Sequence, residues 1–166
     1  MTLRPTRIPP GPGQESVWDY PRPPRAEPTD RRVRVEFGGM LIAASTRAVR
    51  VLETSQPPAF YLPPEDVALE YLERTARHSF CEWKGHADYW TVRVGDRVAP
   101  DGAWSYPDPA PAFVTITDHL AFYPRAMDAC WVDDERVETN EGDFYGGWIT
   151  SSVVGPFKGA PGTGHW

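Results

Sequence analysis

Nineteen of the 166 residues are proline and 14 are glycine. A proline inside a helix removes a backbone hydrogen bond and clashes with the preceding turn. This composition argues against a helical bundle and favours short elements joined by many turns. Eight of the prolines fall within residues 1–30, so this stretch reads as an extended arm rather than a second domain. Trp18 and Tyr20 in "ESVWDYPRPP" predict that the arm lies on the body, anchored by its rings.

Strand patterns begin at Val33. "VRVEF", Gly38-Gly39 and "MLIAAS" read as a hairpin whose glycines supply the positive φ of a tight turn. "RAVRVLE" follows as a third strand, and "TVRVGDRVA" gives a further hairpin at Gly95-Asp96. One helix is predicted near 64–76. Pro64 suits its first turn, Glu65 and Asp66 complement its N-terminus, and Val67, Tyr71 and Leu72 form an apolar stripe. Arg74, Arg77 and His78 fall where a last turn favours cations. The expectation is one α+β domain, mainly antiparallel β. It divides into a Pro-rich arm (1–32) packed on the body, a core (33–126) and a C-terminal extension (127–166).

The net charge of −6 argues against nucleic acid, whose binding requires a basic stripe. No apolar run is long enough for a membrane span, and "MTLRPTRIPPGPG" has no signal-like apolar region. The protein is expected in the cytoplasm, with Cys81 and Cys130 as free thiols. The histidines and cysteines lack zinc-ligand spacing, so neither a metal nor any cofactor is expected. The acidic stretch "DDERVETNEGD" reads as a solvated face.

The densest chemistry is "CEWKGHADYW", residues 81–90, expected at a junction between the helix and a strand. The chain has two lysines, Lys84 and Lys158, against 15 arginines. Each lysine stands between an aromatic residue and a glycine, as in Trp83-Lys84-Gly85 and Phe157-Lys158-Gly159. An ammonium three residues from Cys81 would favour its thiolate, although the plain reading of Cys81 is a buried core thiol. Cys81 and His86 on one extended strand would lie on opposite faces about 16 Å apart, which excludes a triad within the stretch. Trp104 and Tyr106 alternate, so both rings face one side. Asp66 reads most simply as a helix N-terminal charge.

Four stretches resemble the bacterial "domain of unknown function 427" family, also filed as nucleotidyltransferase-like. They are "ETSQPPAFYLPPEDV" (53–67), "CEWKGHADYW" (81–90), "AWSYPDP" (103–109) and "LAFYP" (120–124). The arm and "FYGGWITSSVVGPFKG" resemble its longer, actinobacterial-type members. The resemblance implies a small, mostly β domain similar in build to β-tent proteins but without their zinc cysteines. It also implies site residues at Tyr61, Asp66, Cys81, Lys84, Tyr89, Trp90, Trp104 and Tyr106. The carboxylate pair that nucleotidyl transfer needs after a Gly-Ser turn is absent.

Three functions follow as expectations. The first is binding of a small planar or anionic metabolite by Tyr61, Asp66, Lys84, Tyr89, Trp90, Trp104 and Tyr106. The second is an enzyme using Cys81 or Lys84 covalently. The third is a protein-interaction module built on the aromatic arm and tail.

Overall fold

The computed structural model describes residues 5–142 and 144–166. Residues 1–4 of the arm and Asp143, at the end of the acidic stretch, lie outside the described residues. The longer strands in chain order are β1 (Arg25–Pro28), β2 (Val33–Phe37), β3 (Met40–Ser45), β4 (Val49–Leu52) and β5 (Ala59–Tyr61). They continue with β6 (Leu72–Cys81), β7 (Gly85–Val94), β8 (Arg97–Ser105) and β9 (Ala129–Val132). The fold is mainly β, in several open antiparallel sheets.

Both predicted hairpins form. β2 and β3 pair through Gly38 and Gly39, at φ 61° and 79°, and β7 and β8 pair through the turn at Gly95. "RAVRVLE" does become a strand, β4, but it leaves the preceding hairpin and pairs with β1 and β5. β9 joins the other edge of β2. Segments from both ends of the chain are therefore built into the sheets: β1 from the arm, and β9 from beyond residue 126.

The helix expected near 64–76 does not form. Pro64–Asp66 and Leu69–Tyr71 are single 3-10 turns, and Leu72–Cys81 is strand β6, paired with β7. The reason lies in the pattern itself. Val67, Tyr71 and Leu72 do reach the main core, but one turn later only the small Ala76 continues their stripe. A helix through Arg74, Arg77 and His78 would bury little, whereas a ten-residue strand pairs its backbone with β7. The cations instead reach across the sheet. Arg74 and His78 approach Asp88 at 3.7 and 3.1 Å, and Arg77 approaches Asp101 at 3.8 Å.

The four-stranded sheet in the order Ala121–Phe122, β8, β7, β6 has a core on each face. Val92, Ala103 and Phe122 face the main core, with Val33, Val35, Phe37, Ile42, Leu62 and Trp148. Ala87, Tyr89, Trp104 and Ala121 face a second core, with Val49, Val51, Tyr61 and Tyr106. The division follows the two-residue period of a strand.

The described part of the arm packs on the rest of the chain. Glu15–Ser16 pairs in parallel with Val153–Val154. Tyr20 is buried and donates to Glu15. Half-buried Trp18 donates from Nε1 to the Pro156 carbonyl at 2.9 Å and packs on Trp166. Arg50, bonded to both Glu15 and Glu27, ties the arm to β4.

Candidate functional site

The stretch 81–90 is a β-hairpin turn rather than a helix-to-strand junction. Cys81 ends β6, residues 82–84 form the loop, and Gly85 pairs back with Cys81. Gly85 has φ 104°, a backbone conformation that side chains disfavour. The loop is braced from below, where the Ala110 amide donates to the Lys84 carbonyl at 3.0 Å. The hairpin also changes the geometry expected for Cys81 and His86. They are close in register, but Phe80 and His86 pack together on one face (4.9 Å) while Cys81 packs with the second core on the other. A Cys81–His86 pairing stays excluded, now by facing rather than by distance.

Lys84 enters a cleft of about 720 Å³ opening over the second core. Tyr61, Cys81, Lys84, Tyr89, Trp104 and Tyr106 all line it. Tyr61 is 1% exposed, and its hydroxyl accepts from Trp104 Nε1 at 3.1 Å. The Tyr89 hydroxyl donates to Ser79 at 2.9 Å. These bonds hold the rings in fixed orientations, so the cleft is walled before anything binds.

Two of the expected site residues lie elsewhere. Trp90 is one position out of phase with Tyr89, so it packs against the main core and donates to Ser105 at 2.9 Å. Asp66 accepts from Ser45 at 2.6 Å and from Arg47 at 2.9 Å. It ties the turn after β5 to the end of β3 and caps no helix.

Lys84 sits 5.8 Å above the Tyr106 ring, and among the described residues no carboxylate comes within ion-pairing distance of it. Desolvation works to lower its pKa, but the Tyr61 hydroxyl, the Cys81 sulfur and the Glu53 carboxylate outweigh it and hold the value above that of an ordinary lysine. The ammonium therefore stays charged at neutral pH. Burial pushes the Tyr61 and Tyr106 phenols up as well, which keeps both neutral.

Sequence reasoning did not find Arg77, Tyr123, Arg125 or Tyr145, which also line the cleft together with Lys158. Their common feature is a cation over a tyrosine ring: Arg77 on Tyr89 (4.3 Å), Arg125 on Tyr123 (4.4 Å) and Lys158 on Tyr145 (5.3 Å). The repeated aromatic-Lys-Gly triplet was the one local signal for Lys158. Among the described residues no three of His, Cys, Asp and Glu converge on a metal position, and no helix is long and apolar enough to cross a membrane.

No curated protein matches the chain. The family model described as a domain of unknown function (DUF427) matches residues 25–133. That stretch starts at β1, ends just after β9, and carries every cleft residue named above except Tyr145 and Lys158. With about two thirds of its length covered, the chain belongs to the DUF427 family.

Proposed function

We propose that the protein binds a small planar or anionic metabolite in this cleft, the rings stacking it and Lys84 holding its charge. The observation that carries the reading is Lys84 itself, a half-buried ammonium near Tyr61, Cys81 and Tyr106 with no carboxylate in ion-pairing distance among the described residues. A charge held away from water attracts an arriving anion more strongly than an exposed one does. The neutral phenols of the wall do not repel that anion. Exposed Phe80 and Phe144 stand at the rim of the same cleft, which favours a ligand there over a separate aromatic docking patch for a partner protein.

A thermal-shift screen of metabolites on wild type and Lys84→Met tests this. A ligand at 100 times its Kd stabilises the folded state by about 2.7 kcal/mol, or roughly 5–10 °C for a domain of this size. Such shifts are expected in wild type and absent in the variant. Lys84→Met, which keeps the stem and loses no ion pair among the described residues, should melt at or above the wild-type temperature. Hits that stabilise both proteins equally would overturn the reading.

Cys81 supports a second reading, an enzyme that works covalently. The thiol is half-buried and lines the same cleft as Lys84, within reach of a bound electrophile. Under this reading, intact mass after incubation with a thermal-shift hit shows an adduct that Cys81→Ala abolishes. Binding alone leaves the mass unchanged.

A further inference from the structure

The chain beyond residue 133 lies outside the family match, yet it forms one side of the cleft. It is pinned rather than draped. The Trp148 amide donates to the Pro58 carbonyl at 2.7 Å, and the Lys158 amide donates to the Ser55 carbonyl at 2.8 Å. Asn140 Nδ2 donates to the Lys158 carbonyl at 2.7 Å, and Arg125 donates to the Tyr145 carbonyl at 3.2 Å. Gly146 and Gly147 press so closely on Trp104 and Pro57 that a Cβ at either position would overlap the ring or the Pro57 carbonyl.

This wall brings Lys158 to the cleft. Its ammonium lies over the Tyr145 ring, as that of Lys84 lies over Tyr106. Neither lysine has a carboxylate within ion-pairing distance among the described residues, whereas most of the arginines do. The acids that line the cleft are engaged or exposed. Glu53 accepts from Gln56 at 2.8 Å and faces Arg22 at 3.7 Å, Asp101 accepts from Thr75 at 2.8 Å and faces Arg77, and Glu82 is exposed. The only two lysines of the chain thus line one cleft, each against a tyrosine face and each without a counterion among the described residues. A tyrosine face attracts a cation but does not neutralise it, so both remain available to an anion.

We infer that the C-terminal extension completes the site, with Lys158 as a second anion-binding point beside Lys84, and that the ligand class is a small planar compound bearing two anionic groups. This rests on the reading that the cleft binds an anion at Lys84. Lys84 is contributed by the family domain and would hold the first anionic group. Lys158 is contributed by the extension and would select for the second.

Calorimetric titration of the full chain with benzoate, isophthalate and terephthalate tests it, the last two placing the second carboxylate at different distances. At least one dicarboxylate should bind about tenfold or more tighter than benzoate, as one added charge-assisted hydrogen bond would give. Lys158→Met should collapse that ratio toward one, and Lys158→Arg should retain it. Lys84→Met should weaken all three compounds. A wild-type ratio near one, a ratio that survives Lys158→Met, or binding of none of the three at millimolar concentration would overturn the inference. The metabolite screen with Lys84→Met judges the first reading separately, so the two can fail independently.

Discussion

Trp148 is the joint between the extension and the domain, and its removal is the sharpest test of whether the two form one cooperative unit. The indole is 1% exposed, stacks 5.0 Å from Phe60 in the main core and donates to the Phe122 carbonyl at 3.0 Å. A ring of this size buries about 200 Å², which at ~25 cal/mol per Å² is about 5 kcal/mol. Measured losses for large aromatic-to-alanine changes run about 3–5 kcal/mol, and the buried Phe122 carbonyl left without its donor adds to the cost. Trp148→Ala should therefore destabilise by about 4 kcal/mol and lower Tm by about 8–16 °C. Trp148→Phe, which keeps much of the ring and loses the hydrogen bond, should cost about 1–2 kcal/mol. Urea unfolding followed by circular dichroism, with calorimetry alongside, gives both values. The expected signature is a lower midpoint, an unchanged slope and one transition. A loss below about 1 kcal/mol for Trp148→Ala, or a separate early transition in wild type, would refute the reasoning. The extension would then be a detachable flap unable to hold Lys158 in place.

Two further outcomes follow from the cysteines and the surface carboxylates. Cys81 and Cys130 are both free thiols, so the denatured, non-reduced protein should titrate two. In the native state an alkylating reagent should reach half-buried Cys81 first, because Cys130 is 2% exposed and burial pushes its pKa up; equal rates at both positions would contradict the packing of β9. Asp66 and Asp128 are held below the ordinary carboxylate range, the first by Arg47 and Ser45, the second by Arg97 and the Gly38 amide. A depressed folded-state pKa contributes stability above the unfolded value of about 3.9, lost as pH falls through the folded value. Asp66→Asn should accordingly lower Tm at pH 7 and flatten the decline of Tm below pH 4, and an unchanged acid slope would show that the Asp66 contacts contribute nothing.

Several features were legible in the residues alone because they depend on neighbours in the chain. Gly-Gly and Gly-Asp between alternating strands are enough to specify the two hairpins, since only the local φ and the face pattern matter there. Alternation likewise places Trp104 and Tyr106 on one side of β8 and its continuation, and the cleft does gather Tyr61, Cys81, Lys84, Tyr89, Trp104 and Tyr106. Elsewhere the outcome turned on partners far away in sequence. The stretch 64–76 carries helix-compatible residues, but β7 lies ready to pair with Leu72–Cys81, and that pairing outweighs a weak propensity. β4 carries an unambiguous strand pattern, but the pattern does not say that β1 and β5 are its neighbours. Asp66 goes to Arg47 and Trp90 to the main core because of how the turn after β5 and the β7–β8 register meet the rest of the fold. Tyr145 and Lys158 reach the cleft only because Trp148 and the glycines at 146 and 147 lay the extension against it. Periodicity encodes which face of an element is apolar, whereas the identity of what covers that face is set by long-range packing, which leaves no local trace.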